Sequence, residues 1–141
     1  MEKIIWQDDF QTMYVKQIKG DISYIYHLII GIKAQTNSWE GNLKLNYQAE
    51  DGFSFDDEEL KDKLKTIIDN NLEEQFEIVD VLQDTDSLIT FNCKKEFVEI
   101  SGKIGNTIDD TYQLSFSFDA SKEIIVNLYN YLKENPSEYE E

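Results

Sequence analysis

Apolar and polar residues alternate with a period of two along most of this chain, and the period lengthens to that of a helix in two places. Residues 10–18 are rich in aromatic and β-branched side chains and predict a strand, closed by a turn at Gly20-Asp21. Over residues 22–34, Ile22, Tyr24, Tyr26, Leu28, Ile30 and Ile32 fall on one face, with Ile25 and Ile29 on the other. That pattern suits a central strand covered on both sides for part of its length. Residues 39–47 place Trp39, Gly41, Leu43, Leu45 and Tyr47 on one side of a half-buried strand. A helix is expected over 56–70. Asp56 and Glu59 have capping-box spacing, Leu60, Leu64, Ile67 and Ile68 recur at helical intervals, and Asn70-Asn71 stops the run. Four further strands are expected at 75–82, 87–93, 97–104 and 112–118, with tight connections at Lys94-Lys95-Glu96 and Gly105-Asn106. Asp119 is expected to cap a last helix whose apolar face is Ile124, Ile125, Leu128, Tyr131 and Leu132.

The element order is therefore β-β-β-α-β-β-β-β-α. It lacks the strand–helix alternation of a parallel doubly wound sheet. The expected class is α+β: a largely antiparallel sheet of about seven strands with two helices packed on it. Residues 1–134 form one domain, and residues 135–141 are an acidic tail.

Composition changes this picture mainly through charge. Of 141 residues, 29 are acidic and 13 are basic, and every basic residue is a lysine; with the single His27 neutral, the net charge is −16. A field of that sign repels phosphate backbones, which excludes nucleic acid as a direct partner, and it accelerates encounter with a basic protein. The amino-terminal apolar run is three residues long and is followed by acids, unlike a signal peptide. The apolar stretch of residues 22–34 is too short to cross a membrane. The expected location is the cytoplasm. Cys93 has no second cysteine to pair with.

The chain carries few residues suited to chemistry. One Cys and one His, far apart, do not make a zinc site. The acidic run of residues 51–59 lacks the alternating oxygen ligands and central glycine of a calcium loop, and helix-start acids account for it better. Cys93 alternates with Ile89 and Phe91, the pattern of a core thiol, and His27 lies inside the most apolar strand as a buried histidine would. Neither a nucleophile elbow nor a phosphate-cradling glycine loop is present. No catalytic, cofactor-binding or metal-binding residue is therefore assigned. What remains is surface. Acids cluster near Asp51, Asp56, Asp57, Glu58 and Glu59, near Asp84 and Asp86, and at Asp109-Asp110, with Phe53 embedded in the first cluster. An acidic patch holding an aromatic side chain is a docking surface for a basic protein, and these ten residues are the candidate partner-binding set.

Several of these features occur together in one known family. The Trp39-Glu40-Gly41 segment with alternating Leu43 and Leu45, the capped helix of residues 56–70, and the final Leu114-Ser115-Phe116-Ser117-Phe118-Asp119 strand before an amphipathic helix resemble the WapI-type immunity proteins. The resemblance spans most of the chain and rests on packing positions. It implies a bacterial cytoplasmic protein that binds a cognate toxin domain, often a basic nuclease, and blocks it; it carries over no binding residues, because toxin-facing surfaces vary with the toxin. Two other classes compete with this expectation: a small carboxylate-dependent hydrolase and a non-catalytic assembly subunit.

Overall fold

The computed structural model describes residues 2–9, 11–19, 24–35, 42–46, 57–79, 88–106 and 112–136. The strands are β1 (Glu2–Gln7), β2 (Gln11–Lys19), β3 (Tyr24–Gln35) and β4 (Asn42–Asn46), then β5 (Glu74–Val79), β6 (Leu88–Cys93), β7 (Val98–Asn106) and β8 (Tyr112–Ala120). Helix α1 (Asp57–Asn70) stands between the two groups of strands, and α2 (Glu123–Glu134) follows the second. The protein is α+β and antiparallel, but the single sheet of about seven strands is not what forms. Among the described residues eight strands make two four-stranded sheets, ordered β1-β2-β3-β4 and β5-β6-β7-β8, with strands adjacent in the chain paired. The first strand was not anticipated: Ile4-Ile5-Trp6 is too short an apolar run to stand out, and it is recruited by pairing with residues 12–16 of β2.

The chain thus runs four strands and a helix twice over. The helices do not stay with the strands that precede them. α2 lies against the first sheet: Asn127 Nδ2 donates to the Ile5 carbonyl at 3.1 Å, and Tyr131 meets Tyr26 edge-on with ring centroids 6.4 Å apart. At the end of α2, Gln17 Nε2 donates to the carbonyls of Asn135 (3.3 Å) and Pro136 (2.9 Å), and the Tyr26 hydroxyl donates to the Asn135 carbonyl as well. α1 lies alongside α2 and beside β5 of the second sheet.

Alternation explains which side of each strand is buried. In the first sheet Ile5, Met13, Val15, Tyr26, Leu28 and Ile30 point into the core; the side chains of His27, Ile25 and Ile29 lie outside the described set, so the expected burial of His27 is not addressed. In the second sheet Phe76, Ile78, Ile89, Phe91, Cys93, Val98 and Ile100 are buried, and Leu60, Leu64 and Ile67 of α1 join Ile124, Ile125, Leu128, Tyr131 and Leu132 of α2 in the same cluster. The five apolar positions expected on the last helix are all buried, and the Cys93 thiol is in the core.

Several local expectations change. Asp119 does not cap α2. It belongs to β8 and pairs with Glu99, because β8 runs on to Ala120 opposite Val98. Ser121 satisfies the helix start instead. Its Oγ accepts from the Glu123 N–H at 3.2 Å and its carbonyl accepts from Ile124 at 3.2 Å. Gly105-Asn106 is not a turn but the end of β7, paired with Gln113 and Tyr112. The Lys94-Lys95-Glu96 connection is tight as expected, closed by Lys94 N–H donating to the Phe97 carbonyl at 2.8 Å. Helix α1 ends where the asparagines predict. Asn71 takes a left-handed backbone (φ 46°), and Leu72 N–H reaches back to the Ile67 carbonyl at 3.3 Å, the six-to-one closure of a Schellman end.

Candidate functional site

Ten residues carry the sequence-based partner surface, and most lie outside the described residues: Asp51, Phe53, Asp56, Asp84, Asp86, Asp109 and Asp110. Asp57 opens α1, with its side chain also outside the description. Glu58 and Glu59 are described, and both are exposed in the first turn of α1. That position is electrostatically favoured, since the unpaired N–H groups of a helix start carry partial positive charge. Glu58 is also held by Lys61 Nζ at 3.3 Å, one turn on.

What the fold adds is β5 beside α1. Glu59, Leu60 and Lys63 of α1 and Phe76 and Glu77 of β5 together line a shallow open groove of about 200 Å³. Leu60 and Phe76 are the buried apolar members of this lining, while Glu59 and Glu77 are exposed and Lys63 is half-buried. Phe76 is flanked by its cross-strand partner Phe91 on β6, with the rings stacked at 4.9 Å and 7° apart. Of the ten sequence-selected residues only Glu59 lines this groove, beside Leu60, Lys63, Phe76 and Glu77. Phe76 and Glu77 were missed because their membership depends on which element β5 lies beside. The local signal that existed was the Glu74–Val79 alternation, which turns Phe76 inward and Glu77 outward.

A second concavity lies on the first sheet, lined by Glu2, Ile4, Thr12 and Tyr14, where Ile4 of β1 is the register partner of Tyr14 of β2. Burial, with a smaller contribution from the nearby Glu2 carboxylate, pushes the Tyr14 hydroxyl above the usual tyrosine range. None of the ten sequence-selected residues lines it.

The described side chains most plainly perturbed are Tyr14, Cys93 and Tyr131. Burial pushes the Cys93 thiol upward; Lys122 opposes that shift and Glu74 adds to it. A thiol so held is the reverse of an activated nucleophile. Burial likewise raises Tyr131, partly offset by a backbone hydrogen bond at Gln17 and reinforced by Glu2. Among the described residues no three His, Cys, Asp or Glu side chains converge as metal ligands would, and no helix is long and apolar enough to cross a membrane.

Fold and groove together define an α+β chain of two antiparallel meanders with a shallow groove lined by Glu59, Leu60, Lys63, Phe76 and Glu77. Comparison with protein-family models, with curated proteins and with solved structures finds no match.

Proposed function

We propose that this protein binds a basic protein domain stoichiometrically and neutralises it, as a bacterial immunity protein does with its cognate toxin, acting in the cytoplasm. The observation that carries the proposal is the combination of a −16 net charge and a groove whose lining sets Glu59, Glu77 and Lys63 beside the apolar Leu60 and Phe76. The long-range field would raise the encounter rate with a basic surface, and the groove would supply short-range contact. A nuclease toxin is a fitting target, since the surface that holds phosphate is basic, and an acidic inhibitor can occupy or border it. Glu58 and Glu59 remain in the proposed surface, now with Phe76 and Glu77.

A small carboxylate-dependent hydrolase would draw on the same two groups, Glu59 and Glu77. Both are solvent-exposed, whereas a general acid is usually lodged in an apolar pocket that keeps its proton on. The deciding experiment is co-expression with the toxin domain encoded beside its gene. Protection of the cells and a one-to-one complex are expected. A Glu58→Lys, Glu59→Lys, Glu77→Lys variant should slow association about tenfold and flatten its salt dependence between about 50 and 300 mM salt. Full protection by a variant whose association rate and salt dependence match the parent would remove the groove from the proposal. Failure of the parent chain to protect or to form a complex would remove the immunity function.

A further inference from the structure

Each sheet ends in two edge strands: β1 and β4 in the first, β5 and β8 in the second. An edge presents unpaired backbone N–H and C=O groups, and proteins blunt it by short length, charge, a bulge or cover from another element. β1 carries Glu2 and Lys3, is bulged at Ile5, and has the Ile5 carbonyl occupied by Asn127. β4 is five residues long with Lys44 at its centre. β5 carries Glu74 and Glu77 and lies beside α1. β8 shows none of these devices over residues 112–118. It is nine residues long, its register against β7 runs unbroken from Val98–Ala120 to Asn106–Tyr112, and it holds neither proline nor charge before Asp119. In a chain of net charge −16, an uncharged edge of this length is the exception. Among the described residues β7 is its one sheet neighbour. Its side chains add a second feature. Ser115, Ser117 and Asp119 are exposed, whereas Phe116 and Phe118, in register with Gly102 and Ile100, face the core and are only half-buried. The two rings stack with centroids 6.3 Å apart. Apolar side chains thus stand half covered at the rim of the core, on a strand whose outward backbone groups have no strand partner among the described residues.

We propose that β8 is a self-association edge, at which a second copy of this chain adds its own β8 antiparallel about a two-fold axis at Phe116. The strand is self-complementary in that register. With Phe116 opposite its counterpart, Ser115 falls opposite Ser117, Leu114 opposite Phe118, Gln113 opposite Asp119 and Tyr112 opposite Ala120. All nine residues are then paired, and no two acids face each other across the seam. The two-fold keeps the core-side faces of both sheets on the same side, so that Phe116 of each copy is covered by that of the other. The contact is isologous and closes at the dimer, since it leaves neither β8 edge open. The −16 charge of each copy opposes association at long range, but no like-charge pair sits at the seam itself, so dissolved salt tightens the contact by screening. That dependence is opposite in sign to the one expected for capture of a basic partner.

Sedimentation equilibrium of the full chain provides the test. A monomer–dimer equilibrium is expected, at least about tenfold tighter at about 500 mM salt than at about 50 mM. Amide hydrogen exchange across residues 112–120 should slow as protein concentration rises, while exchange in β5 should not. A Ser115→Lys, Ser117→Lys variant sets lysine opposite lysine across the seam and should weaken the dimer at least about tenfold, although it lowers the net negative charge. Mixed with a Ser115→Glu, Ser117→Glu variant it should form heterodimers, because each lysine then meets a glutamate. A parent that stays monomeric at every concentration and at both salts overturns the proposal, as does a dimer that the lysine variant leaves intact. β8 amides that become protected only when a basic protein is added to a monomeric parent would give the edge to a strand of that protein and overturn the second copy as occupant. If the variants fail to fold, the concentration dependence of amide exchange in the parent still decides.

Discussion

The side chain of Asn127 on α2 donates to the carbonyl of Ile5, and Ile5 is the residue at which β1 slips out of step with β2. Ile4 pairs with Tyr14 and Trp6 with Met13, so Ile5 is the extra residue of a β-bulge. A bulge residue loses its ladder partner, and a buried carbonyl without one costs about 1–3 kcal/mol. Asn127 supplies the missing donor from the other half of the chain, while the Ile5 side chain stays in the core. One contact therefore satisfies the bulge and seats α2 on the first sheet.

Asn127→Ala should then lower stability by about 1–2 kcal/mol, because the Ile5 carbonyl is left without its donor in a partly buried site. Thermal melts should show a loss of about 3 °C for each kcal/mol. A neighbouring exposed substitution, Glu123→Gln, should melt close to the parent. Equal melting temperatures for Asn127→Ala and Glu123→Gln would mean that the contact is dispensable.

Gly102→Ala should be more damaging than a surface alanine substitution ordinarily is. Gly102 sits in β7 between Ile89 and Phe116, and a Cβ built there comes within 2.6 Å of the Leu88 carbonyl oxygen and 2.7 Å of the Phe116 ring. The ring can swing aside; the strand backbone cannot without disturbing the ladder. A loss of about 1–3 kcal/mol is expected from chemical denaturation, of the size seen on overpacking a core.

Cys93 should be silent toward thiol reagents in the native protein. It is buried and its thiol is pushed upward by that burial, so both access and thiolate fraction are low. Labelling in mildly alkaline buffer should follow unfolding, with full reaction only once guanidinium chloride has opened the core. Rapid labelling of folded protein would contradict the packing of β6 against α1 and α2.

The alkaline limit of stability should involve Tyr131. Its hydroxyl titrates above the ordinary tyrosine value in the folded chain, chiefly because burial penalises the phenolate. A group whose folded pKa is raised contributes its stabilisation in full below its unfolded pKa and loses it as pH rises through the folded value. Stability measured by denaturant titration should therefore hold through neutral pH and decline above the ordinary tyrosine range near 10. Tyr131→Phe should make that decline shallower. Tyr14 is shifted the same way and contributes to the same limb, while Cys93, also raised by burial, begins to contribute at lower pH, from the ordinary thiol range of about 8.5.

The sequence by itself determined the kind of element at nearly every described position. Alternation located β5, β6 and β8 to within two residues at their described ends, and helical spacing picked out all five buried positions of α2, because these patterns record which side of a local element faces the core. It also determined the charge, hence the class of partner proposed. Only the tertiary structure decided how the strands divide into two sheets, since alternation marks a buried face without naming the neighbour across it. Pairing likewise decided the recruitment of β1, the extension of β8 through Asp119 and the passage of capping to Ser121. The same reason governs the site. Glu59 was legible as a helix-start acid, but Phe76 and Glu77 share a groove with it only because the fold brings β5 beside α1. Lys122 reaches Asn71 and the Lys95 carbonyl, and no local pattern in three separate segments could reveal contacts that exist in space alone.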